Sequence, residues 1–105
     1  MQSNLILDTD SYKASHWLQY PPGTTRAYAY IEARDSHVAG IDATLFFGLQ
    51  AYLKEYLSRP FSADDLAEAR ELFGAHGEPF NEAGWQHILD RHGGRLPVEI
   101  RAVPE

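Results

Sequence analysis

The chain has 105 residues, 44% of them hydrophobic and 23% charged, which suits one folded domain with a modest core rather than a disordered segment. Its net charge of −6 argues against non-specific nucleic-acid binding, which needs Lys and Arg to neutralise phosphates. The absence of cysteine excludes disulfides, thiol catalysis and thiolate metal sites, and no apolar run reaches the ~18 residues of a membrane span.

Leu5 to Leu7 is a short apolar run that reads as a strand or an extended lead-in. Thr9 or Asp10 can cap a helix from about Ser11 to Gln19, since a short oxygen side chain accepts a bond from an orphan backbone N–H. Pro21-Pro22-Gly23 ends it. Thr25 to Glu32 alternates: Ala27, Ala29 and Ile31 fall on one face, Arg26, Tyr28, Tyr30 and Glu32 on the other. That period of two predicts a strand. Ser36 to Ile41 reads as a loop.

Asp42 is placed to cap a helix over Ala43 to Leu57, where Leu45, Phe46, Leu49, Tyr52, Leu53 and Tyr56 form an apolar stripe. Gly48 would then sit in mid-helix, at about 0.8–1 kcal/mol relative to Ala. Ser62 and Asp65 have capping-box spacing for a helix reaching about Phe73. Asn81 caps another over Glu82 to Arg91, with Trp85, Ile88 and Leu89 on its inner side and Gly93-Gly94 as its stop. Val98, Ile100 and Ala102 alternate with their neighbours as a second strand. The fold class expected is therefore α+β (or α/β), with few strands and about four helices. Two strands make a poor sheet, so this one is expected to take strands from further chain or a partner.

Three roles are open for Asp8 and Asp10. They could hold a metal, start a helix or shape a pocket around Tyr12. An apolar run leading into Asp-x-Asp also opens the site of small Mg²⁺-dependent phosphatases, but the downstream lysine and second acidic cluster of that chemistry are not evident. Favourable charge at a helix N-terminus explains the same residues with no ligand. The five histidines lack metal spacing, and His16, one turn after Tyr12, reads first as a packing residue. No phosphate-cradling glycine loop and no nucleophile triad is present, so no complete active site is legible.

Several stretches taken in order resemble the opening of the nicotinamide phosphoribosyltransferase family. They are Asp8-Thr9-Asp10-Ser11-Tyr12-Lys13 with His16, and Gln19-Tyr20-Pro21-Pro22-Gly23-Thr24. Tyr28 to Arg34, Phe46-Phe47-Gly48-Leu49-Gln50, Phe80 to Trp85 and Leu96 to Glu105 continue the match. The resemblance covers essentially the whole chain, 1–105, as an N-terminal domain. It implies an enzyme that joins nicotinamide to phosphoribosyl pyrophosphate, giving nicotinamide mononucleotide and pyrophosphate in NAD salvage. It also implies a cytoplasmic head-to-tail homodimer, with Mg²⁺ and ATP coupling in the full-length enzyme.

By the same resemblance, Tyr12 matches the tyrosine that stacks on the nicotinamide ring from the neighbouring subunit. Asp10 matches an aspartate near the carboxamide, and Arg34 an arginine reaching the ribose phosphate. Asp8 is structural on this reading. The family's catalytic histidine, its pyrophosphate-binding acidic positions, its second stacking aromatic and its barrel fall beyond residue 105. No catalytic residue, metal ligand or cofactor site is therefore expected here, and the chain is expected to be inactive alone. The alternatives are a subunit-pairing module without catalysis and, more remotely, the small phosphatase.

Overall fold

The computed structural model describes residues 3–105. Its elements are all helical. A 3-10 turn, Leu5–Leu7, is followed by a 3-10 helix, Ser11–Gln19. Helix α1 spans Leu49–Tyr52 and runs directly into a π-helical turn, Leu53–Leu57. Helices α2, Ala63–Ala75, and α3, Glu82–His92, complete the order.

The core is small and draws on distant parts of the chain. Its buried side chains are Ile6, Phe61, Leu66, Ala69 and Phe73. Leu66, Ala69 and Phe73 are spaced by three and four residues, so they form one stripe along α2. Trp85, Ile88 and Leu89 of α3 pack against this stripe, as their spacing predicts. Two aromatic pairs hold the layers together. Phe61 meets Trp85 edge to face at 5.3 Å, and Phe73 stacks on Phe80 at 5.3 Å. The N-terminal turn is fastened by Asn4, whose Nδ2 donates to the Asp65 carbonyl at 2.8 Å while its Oδ1 accepts from Ile6 N at 3.0 Å.

Local signals account for the boundaries of α2 and α3. Ser62 Oγ accepts from Asp65 N at 3.1 Å, and Asp65 Oδ2 accepts from Ser62 N at 2.7 Å, closing the capping box. Asn81 Oδ1 accepts from Gly84 N at 3.0 Å. Its side chain lies so close that a Cβ at residue 84 would meet Asn81 Cγ at 2.8 Å, which explains a glycine inside a first turn. At the far end, Gly93 adopts φ 61°, and Gly94 N donates back to the Ile88 carbonyl at 3.2 Å. Asn81→Ala is expected to destabilise the chain by about 1 kcal/mol, the usual worth of such a cap, readable as a small fall in urea midpoint.

The α+β expectation is overturned: among the described residues there is no strand. Residues 24–47 form no helix and no ladder, with bends and a turn at 37–40. Tyr28 is 93% exposed and Ile31 is 104% exposed, although they belong to opposite faces of the alternation. Val98 and Ile100 are likewise exposed rather than paired. A strand is defined by hydrogen bonds to a neighbour, and alternation alone supplies none. This open excursion also accounts for the dimensions. The radius of gyration is 16.5 Å, against about 13 Å for a compact domain of about 100 residues.

Two further expectations are corrected. Leu5–Leu7 is a 3-10 turn rather than a strand, and it delivers Ile6 to the core. The helix expected from Ala43 begins only at Leu49. Gly48 is its N-cap, with φ 94°, and not a mid-helix residue. A left-handed backbone there breaks any helix arriving from residue 43. Leu45 and Phe46 are accordingly exposed instead of lying on a buried stripe.

Candidate functional site

The 3-10 helix Ser11–Gln19 carries two of the three predicted site residues. Asp10 occupies its N-cap position without a side-chain cap bond, and its carbonyl accepts from Lys13 N at 3.0 Å. Nine residues of 3-10 helix is a long run, since poorer hydrogen-bond geometry usually limits it to three or four. Side chains three apart eclipse in such a helix, and Asp10 and Lys13 have that spacing. Asp10 Oδ2 pairs with Lys13 Nζ at 3.5 Å, and Lys13 Nζ also lies 5.8 Å from the centre of the Tyr12 ring. The rings of Tyr12 and His16 meet at 5.6 Å in an edge arrangement.

Tyr12 is 59% exposed, and the edge contact with His16 steadies its ring while leaving aromatic surface open to solvent. The Asp10–Lys13 pair is exposed and adds at most about 1 kcal/mol. Its importance is local: it holds the Lys13 ammonium near the Tyr12 ring. Lys13 thus stands near both Asp10 and the Tyr12 ring, and His16 meets Tyr12, while no hydrogen bond joins Asp10 to Tyr12 among the described residues. The sequence reading had not selected Lys13. The signal for it was its spacing of three from Asp10.

Arg34 is placed differently. It lies on the exposed run of residues 24–47, outside any helix, and no ion pair or hydrogen bond joins it to Asp10 or Tyr12 among the described residues. Asp8 is the C-cap of the first 3-10 turn, and its N–H donates to the Leu5 carbonyl at 3.3 Å, a structural role.

A separate apolar groove of about 440 Å³ runs between the 3-10 helix and α3. Lys13, Ala14 and Trp17 form one wall, and Phe80, Trp85 and Ile88 stand on the other side. Tyr12 is not among its lining residues, so the open tyrosine face and the groove are different surfaces. Among the described residues no three His, Asp or Glu side chains are grouped to hold a metal ion. The strand that would lead into a phosphatase Asp-x-Asp is absent as well, because Leu5–Leu7 is a helical turn.

The comparisons with known proteins define the class of molecule. The sequence profile described as "Nicotinamide phosphoribosyltransferase, N-terminal domain" matches residues 4–100. The chain belongs to this family. Among curated proteins it is 60% identical over 103 residues to a nicotinamide phosphoribosyltransferase of Xanthomonas campestris pv. campestris (strain 8004), covering 97% of this chain. A nicotinamide phosphoribosyltransferase of Acinetobacter baylyi is 32% identical over 111 residues, covering 91% of this chain. The matches span only 21% and 22% of those two relatives.

Proposed function

We propose that this chain is the N-terminal part of an enzyme that makes nicotinamide mononucleotide from nicotinamide and phosphoribosyl pyrophosphate. The observation that carries the reading is the 60% identity to a named nicotinamide phosphoribosyltransferase along 97% of the chain. In the reaction the pyridine nitrogen forms a bond to the anomeric carbon of the ribose. The bond from that carbon to pyrophosphate breaks, and pyrophosphate leaves with the electron pair. Holding the ring and the sugar in line supplies much of the rate for such a step.

Tyr12 is assigned to stack on the nicotinamide ring of an adjacent subunit's site. Its open face and its restraint by His16 support that role, because a planar pyridine favours a fixed aromatic surface. Asp10 is assigned to the carboxamide side of the ring, with Lys13 beside it. Arg34 is assigned to the ribose phosphate, and its exposure outside the helical core suits reach toward a neighbouring subunit. The enzyme is a cytoplasmic homodimer on this reading. Mg²⁺ and ATP coupling belong to the full-length enzyme, with no residue of this chain assigned to either. The 105-residue chain alone is inactive.

Steady-state kinetics of Tyr12→Ala in the full-length enzyme test the assignment. Stacking of a base on an aromatic ring is worth about 1–3 kcal/mol, so KM for nicotinamide is expected to rise roughly 5- to 150-fold. The circular dichroism should stay unchanged, since an exposed ring is removed. Kinetics identical to the parent enzyme would place Tyr12 away from the nicotinamide.

A further inference from the structure

The side chain of Glu105 closes over the start of α1. Its Oε2 accepts from Gly48 N at 2.5 Å and from Leu49 N at 3.2 Å, and its Oε1 accepts from Gln50 N at 2.8 Å. The first N–H groups of a helix have no partner within the helix, and a local side chain usually serves them. Gly48 has no side chain to offer. Its left-handed backbone, φ 94°, stands where three consecutive N–H groups converge on one carboxylate. The carboxylate arrives from 55 to 57 residues away.

The surroundings favour the charged form. The Gln50 N–H is the largest influence holding this carboxyl below the ordinary glutamate value of 4.5; burial opposes it, and the Gly48 and Leu49 N–H groups add to the lowering. No titratable side chain is among the causes, and no ion pair involves Glu105 among the described residues. The positive end of the helix adds to the same preference.

We infer that Glu105 is a clasp that fixes both the start of α1 and the end of the irregular segment carrying Arg34. The hydrogen bonds within residues 25–47 are local, so Gly48 is where that segment is first tied by hydrogen bonds to a distant part of the chain, among the described residues. A carboxyl with a lowered pKa stabilises the fold above its ordinary value. That stabilisation is lost as the pH falls through the lower folded value. The clasp is closed at neutral pH and opens on protonation, independently of the proposed reaction.

The test is a ¹H–¹⁵N titration of the 105-residue chain from pH 7 to pH 3, with amide exchange measured alongside. The Gly48, Leu49 and Gln50 amides are expected to shift together with one midpoint below 4.5. Glu105→Gln, which keeps every other carboxyl of the chain, is expected to abolish that common transition and speed exchange at all three amides. Amides that do not titrate in the parent chain would overturn the clasp. An identical titration in Glu105→Gln would overturn it too, because the response would then belong to another carboxyl. The parent titration stands by itself even if the variant does not fold.

Discussion

Replacing Gly94 by alanine is expected to lower the melting temperature of the chain by roughly 10 °C or more. Two separate effects add. Gly94 has φ 80°, a left-handed conformation that disfavours any Cβ by about 1–2 kcal/mol. A Cβ there would also overlap the Phe61 carbonyl oxygen and press on Phe61 C and N at 3.2 Å. Those are backbone atoms, and they cannot swing aside as the end of a flexible side chain can. The neighbourhood is also tied, because Phe61 N donates to the Gly94 carbonyl at 3.0 Å and Phe61 is a core residue. Overpacking of this kind adds about 1–3 kcal/mol. Gly93→Ala is the control. It meets the conformational penalty at φ 61°, but nothing lies within 4 Å of its Cβ. Thermal melts of the two variants separate the effects, and equal losses would show that the approach to Phe61 contributes nothing.

Leu66→Ala is the second large effect. Leu66 is 2% exposed in the first turn of α2, and few other buried side chains share the core. Truncating a buried leucine removes about 2–5 kcal/mol, part from lost transfer free energy and part from the cavity left behind. Domains of this size are stable by only about 5–15 kcal/mol, so the cooperative urea transition should move to much lower denaturant or disappear. Leu72 lies on the same helix but is 41% exposed. Leu72→Ala should move the midpoint far less. A Leu66→Ala midpoint close to that of Leu72→Ala would contradict the assignment of the core to one stripe.

Helices α2 and α3 were legible because their punctuation is local. Ser62, Asp65, Asn81 and Gly93 act on backbone groups within a few residues of themselves, so spacing alone reveals them. The strands failed for the opposite reason. Alternation in Thr25 to Glu32 and Val98 to Val103 describes side-chain chemistry, whereas a ladder depends on a neighbour that composition does not reveal. Gly48 was misread in the same way. Its function depends on a carboxylate more than fifty residues along the chain, and no window around residue 48 contains it. At the candidate site, the i+4 relation of Tyr12 and His16 could be read directly, and the structure brings their rings together. The roles given to Asp10, Tyr12 and Arg34 came from family resemblance, not from periodicity. Arg34 in particular sits on a run whose contacts no local rule describes.

The Asn4 anchor implies an order of assembly. Its hydrogen bond to Asp65 joins residues 61 apart, and Ile6 beside it packs with Leu66, Ala69 and Phe73. During synthesis Asn4 and Ile6 therefore leave the ribosome well before Asp65 and Leu66. Helices α2 and α3 can pair locally as soon as both have emerged, but Ile6 must close a much longer loop onto them. Loop-closure entropy grows slowly with length, so the delay is a matter of rate more than of final stability. Until that closure, the part of the α2 stripe that Ile6 covers stays open, and the nascent chain is most open to misassociation in this interval.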